Sequence, residues 1–72
     1  MTITLYTTHC TQCTILEKKL KDKKIEYKTI DGKNAVKSIM AQGYMSAPML
    51  EVDGKFMEYG EAVRWVNERS GE

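Results

Sequence analysis

Two cysteines two residues apart, Cys10-Thr11-Gln12-Cys13, fall where a β-prone run gives way to a helical one. Upstream, Ile3, Leu5 and the Thr and Tyr residues around them read as a short first strand. Downstream, Cys13, Leu16 and Leu20 recur at helical spacing, and Ile15 widens the stripe. Glu17, Lys18, Lys19, Lys21 and Asp22 fill the opposite face, so the spacing predicts an amphipathic helix from Thr11 to about Lys23. Lysines crowd its last turn, where positive charge suits the helix dipole.

The rest of the chain continues the alternation. Ile25, Tyr27 and Ile30 mark a second strand, ended by the turn-forming Asp31-Gly32. Asn34 is placed to cap a second helix with Val36, Ile39 and Met40 on one side, and Gly43 stops it. Pro48 opens a short strand through Val52, and Asp53-Gly54 is a strong two-residue hairpin signal with Lys55 to Glu58 returning. Gly60 begins a last helix with Ala62, Val63 and Val66 inward and Trp65 at its edge, fading at Ser70-Gly71. The predicted order is β-α-β-α-β-β-α. A helical crossover makes the first two strands parallel, and a hairpin completes a four-stranded mixed sheet flanked by three helices.

The chain has 72 residues, enough for a single domain over residues 1–72. Eleven basic against ten acidic residues leave a net charge of +1, without the positive excess of a nucleic-acid binder or a polybasic membrane module. No stretch approaches the roughly 20 apolar residues that span a bilayer. Met1 to Tyr6 lack the basic leader and long apolar run of a secretory signal. The expected compartment is the cytoplasm, where structural disulfides are rare. A cysteine pair there is expected to be catalytic or metal-binding rather than a staple.

The first-turn N–H groups of a helix lack intrahelical partners and carry partial positive charge, which stabilises a thiolate placed among them. Cys10, at that terminus, is therefore expected to be the exposed and more acidic thiol. Cys13, one turn in on the apolar stripe, is expected to be less accessible and more thiol-like. Two sulfurs at this spacing close a disulfide with little backbone movement. The fitting chemistry is thiol–disulfide exchange: Cys10 attacks a substrate disulfide, and Cys13 resolves the mixed disulfide. The rival is a non-enzymatic soft-metal carrier holding Cu(I) or Zn through the same pair, but such domains run β-α-β-β-α-β, unlike this sequence.

With this pair after a first strand and a lone proline opening a late one, the sequence resembles the glutaredoxins over nearly its whole length, from Ile3 to about Glu68. Gly43-Tyr44-Met45-Ser46-Ala47-Pro48, together with Gln12 before the second cysteine, is most similar to the NrdH-type redoxins. The resemblance implies a thioredoxin fold and a dithiol oxidoreductase reducing protein disulfides, with electron donation to ribonucleotide reductase. It implies a cis Ala47–Pro48 bond beside the cysteine pair, no bound cofactor, a monomeric state, and recharging by thioredoxin reductase or glutathione. Met45, Ala47, Pro48, Tyr6, Thr8 and His9 are the expected substrate-binding residues, with no metal site. Tyr6 and Tyr44 flank the site as aromatic walls or as core.

Two departures bear on the reductant. Thr7-Thr8-His9 lacks the basic residue that glutathione-using glutaredoxins carry before the first cysteine. Glu58-Tyr59-Gly60-Glu61-Ala62 replaces their double-glycine, paired-acid stretch and sets carboxylates against a tripeptide that bears two of its own. These departures predict that thioredoxin reductase recharges the pair faster than glutathione does. His9 reads as a solvent-facing loop residue. Met40, Met49 and Met57 read as core fillers, and Met45 as a groove residue.

Overall fold

A computed structural model describes residues 2–45 and 47–69. Within them run β1 (Ile3–Thr7), α1 (Thr11–Asp22), β2 (Lys28–Asp31), α2 (Gly32–Ala41), β3 (Met49–Val52), β4 (Lys55–Met57) and α3 (Tyr59–Asn67). The element order is the one expected. The strands lie in the order β2-β1-β3-β4, with β1 parallel to β2 and antiparallel to β3, and β3 antiparallel to β4. The protein is a small α/β fold with a four-stranded mixed sheet and three helices. None of these helices is long and apolar enough to cross a membrane.

Strand alternation divides the core in two. Ile3, Leu5, Leu50 and Met57 face α1 and α3, where Leu16, Leu20, Ala62 and Val66 close one cluster. Tyr6 and Met49 point to the other face and meet Ala35 and Ile39 of α2. That second helix lies mainly over β1 and β2. Beyond it the sheet is covered by rings instead: Phe56 stacks on Tyr6 at 5.3 Å and on Tyr44 at 6.3 Å.

The turns follow their residues. Asp53 and Gly54 both take positive φ, 50° and 90°, the twist a two-residue hairpin needs. Asp53 also ties the hairpin to the chain start, accepting the Thr2 N–H on Oδ1 at 2.7 Å and donating its own N–H to the Thr2 carbonyl at 2.8 Å. Gly43, at φ 87°, ends α2 through paired bonds from its own N–H to the Met40 carbonyl and from the Tyr44 N–H to the Ile39 carbonyl. This left-handed stop satisfies the last carbonyls of the helix and swings the chain toward the Ala47–Pro48 segment.

Several boundaries differ from expectation. Ile25 and Tyr27 precede β2 rather than belong to it, packing their side chains against the first cluster. Asn34 is not a cap: α2 begins at Gly32 with Asp31 at its N-cap, and the Asp31 carboxylate bonds His9 rather than the helix N–H groups. The last helix begins at Tyr59, one residue before Gly60. Ile15 is exposed rather than part of the buried stripe of α1. Met49 and Met57 are core residues, whereas Met40 is 61% exposed and Val36 is exposed beside it. On α2 the inward pair is Ala35 and Ile39, so Val36 and Met40, one position further round, face outward. The expected fade at Ser70-Gly71 lies outside the described residues.

Candidate active site

The cysteine pair sits on the junction of β1 and α1. Cys10 is the N-cap of α1, in extended conformation at φ −78° and ψ 172°, and its Sγ accepts the Cys13 N–H at 3.3 Å. A sulfur thus fills the capping role that Ser or Asp oxygens usually take. No acidic side chain lies in the first turn to compete for its positive end. The two sulfurs stand 2.8 Å apart, with the Cys10 thiol donating to Cys13 Sγ. Both thiols are free.

Their surroundings differ. Cys10 is half-buried, while Cys13 is 1% exposed on the α1 stripe beside Leu16 and Leu20. Cys13 Sγ receives the Thr8 backbone N–H at 3.4 Å and lies 3.9 Å from the Thr8 hydroxyl. Burial pushes the Cys13 thiol up, but hydrogen bonds from Cys10, from the Thr7 hydroxyl and from the backbone at Thr8 and Cys10 outweigh it and bring it down to about 7. Lower accessibility of Cys13 is as expected. The sequence pattern carries no sign that the end of β1 turns donors onto this sulfur.

Beside Cys10 opens a groove of about 360 Å³ lined by Thr8, Cys10, Val36, Ile39, Met40, Met45 and Ala47. None of these side chains is charged. Met45 stands 92% exposed at its rim. The Ala47–Pro48 bond is cis, as the resemblance implies.

Of the expected substrate-binding residues, Met45, Ala47 and Thr8 line this groove with Cys10. Pro48 is fully buried behind it. Tyr6 belongs to the second core cluster, and its hydroxyl donates to Glu51 Oε1 at 2.6 Å. Tyr44 likewise packs against the second cluster, stacked on Phe56. His9 is exposed as expected, but it takes the left-handed conformation at φ 62° and its Nε2 lies 3.1 Å from Asp31 Oδ2. Val36, Ile39 and Met40 were missed as groove residues. Their one sequence signal is an apolar stripe on α2 wider than a single buried face requires. Glu58 and Glu61 are not among the lining residues, and Glu61 Oε2 lies 3.7 Å from Lys55 Nζ.

Among the described residues, no group of three or more His, Cys, Asp or Glu side chains is arranged to hold a metal ion. No protein-family model matches the chain, and no curated protein matches it either. What fold and site define is a small α/β protein with paired thiols at a helix start beside an uncharged groove.

Proposed function

We propose that the protein is a dithiol–disulfide oxidoreductase of thioredoxin fold, glutaredoxin-like and nearest in motif to the NrdH-type redoxins. The observation that carries this reading is the sulfur pair itself: one half-buried at the helix cap and open to a groove, the other buried 2.8 Å behind it. Cys10 is the nucleophile. Its thiolate attacks one sulfur of a substrate disulfide; that S–S bond breaks, and the first substrate thiolate leaves with the electron pair and takes a proton from water. Cys13, its proton given to solvent, then attacks Cys10 Sγ and expels the second substrate thiolate. Two electrons and two protons pass to the substrate, and the Cys10–Cys13 disulfide remains. The pair carries the electrons, so no cofactor is required.

The groove supports a polypeptide substrate and a protein reductant. Its lining offers apolar surface to side chains flanking a partner's cysteine. Glutathione carries two carboxylates and finds no cation there. Thioredoxin reductase is therefore the proposed electron donor, and ribonucleotide reductase, on motif likeness alone, the proposed acceptor. The test is NADPH consumption with thioredoxin reductase and a protein disulfide such as insulin, run against glutathione with its own reductase. Turnover that needs Cys10 and runs faster with thioredoxin reductase supports the reading. Absence of turnover with either system, or full turnover by Cys10→Ser, overturns it.

A further inference from the structure

Thiol–disulfide exchange has two halves, and the structure distinguishes the sulfur that must leave in the second. When the oxidised pair is recharged, an incoming thiolate attacks the exposed sulfur of Cys10. The Cys10–Cys13 bond breaks and Cys13 departs with the electron pair as a thiolate, while a mixed disulfide forms on Cys10. The rate of such a step depends on how well the leaving sulfur holds negative charge. Cys13 is buried, so water does not supply that stabilisation.

Donors at the end of β1 supply it instead. The Thr8 N–H points at Cys13 Sγ from 3.4 Å, and the Thr8 hydroxyl stands 3.9 Å away. Thr7 is buried, and its hydroxyl oxygen accepts the His9 N–H at 3.0 Å. After the Cys10 thiol, the Thr7 hydroxyl is the next of the groups that favour the ionised sulfur, adding to the Thr8 donors that point at it. The left-handed turn at His9 brings that N–H back onto Thr7. Resting on the disulfide-exchange reading, we infer that Thr7 and Thr8 form a donor cradle that stabilises the buried Cys13 thiolate as leaving group, making them determinants of how fast the pair is recharged.

The groups facing Cys13 are Cys10 from the helix cap and Thr7 and Thr8 from the strand end, and none brings a fixed charge. The nearby charged pair, His9 with Asp31, is exposed at the outside of the same loop. The cradle acts by hydrogen bonding rather than by a neighbouring cation. Removing the Thr8 hydroxyl therefore changes the leaving group without touching the N-cap contact of Cys10, whereas removing the Thr7 hydroxyl also frees the His9 N–H.

The experiment is stopped-flow opening of the oxidised protein by dithiothreitol, with a parallel pH titration of thiolate absorbance in the reduced protein. Thr7→Val keeps size and strand preference but loses the donor, and opening is expected to slow by roughly tenfold, the scale of one hydrogen bond to a charged group. Thr7→Ser restores the hydroxyl and is expected to restore the rate. Thr8→Val keeps the backbone donor and is expected to slow opening by about threefold, less than Thr7→Val. The Cys10 thiol and the cradle together bring Cys13 down to about 7, so in Thr7→Val its thiolate is expected to form at higher pH. Opening rates and titrations in Thr7→Val and Thr8→Val equal to wild type overturn the cradle while the exchange chemistry stands. A wild-type pair that forms no disulfide overturns both.

Discussion

The Tyr6 hydroxyl on β1 donates to Glu51 Oε1 on β3 at 2.6 Å, beneath the ring of Phe56 that stacks on it from β4. Burial first, then the bond to the Glu51 carboxylate and its charge, push the Tyr6 hydroxyl up to about 12. Tyr27, half-buried and bonded to Glu17 at 3.1 Å, is pushed up to about 12 in the same way.

Alkaline stability follows from these two tyrosines. Between pH 10 and pH 12 the folded chain keeps protons that the unfolded chain releases, so stability falls as pH rises through that window. Melting temperature is expected to drop across it. Tyr6→Phe and Tyr27→Phe are each expected to flatten the drop, as differential scanning calorimetry at stepped pH would read. An equal slope in wild type and double variant contradicts the assignment.

The cysteines are expected to alkylate unequally. Cys10 is half-buried at the groove, and Cys13 is 1% exposed behind it, so access alone favours Cys10. Mass spectrometry after brief iodoacetamide treatment is expected to find the label on Cys10. Cys13→Ser is expected to accumulate a mixed disulfide with substrate, and Cys10→Ser to form none. Labelling of Cys13 first would reverse the proposed roles.

Burial separates two residues that sequence periodicity treats alike. Leu20 lies fully inside the cluster between α1, α3 and the sheet, and Leu20→Ala is expected to cost about 2–5 kcal/mol. Met40 is exposed at the groove, and Met40→Ala is expected to stay within about 0.5 kcal/mol of wild type. Chemical denaturation of both variants checks the contrast.

Gly43 stands at φ 87° with open space where a side chain would begin, so a substitution there meets backbone strain and no clash. Gly43→Ala is expected to destabilise the protein by about 1–2 kcal/mol. A neutral result would mean that the stop of α2 tolerates another conformation.

On the proposed function, an uncharged groove leaves the choice of reductant open to an added cation. Met40→Lys puts an ammonium at its wall, able to pair with a carboxylate of a tripeptide bound there. Recharging by glutathione is expected to rise about tenfold, the effect of roughly one charge-assisted contact. Recharging by thioredoxin reductase is expected not to rise. Unchanged glutathione kinetics in Met40→Lys would show that charge in the groove does not govern the choice.

The order of elements was legible in the sequence because its signals are local. Leu16 and Leu20 repeat within a few turns, Asp53-Gly54 admits the positive φ of a tight hairpin, and Gly43 stops a helix wherever the fold puts it. The position of Cys10 at a helix start was legible for the same reason. Periodicity defines an apolar face but does not say whether anything covers it. Val36 and Met40 read as inward because they lie near Ile39 on the helix. Only the seating of α2 on Ala35 and Ile39, over β1 and β2, left them as the wall of a groove. Likewise, no local pattern reports that Thr7 and Thr8 turn their donors onto Cys13, or that His9 reaches Asp31 across 22 positions. The His9–Asp31 contact depends on β1 and β2 ending side by side, at Thr7 and Asp31. Chain segments far apart in sequence meet there only once the sheet has formed.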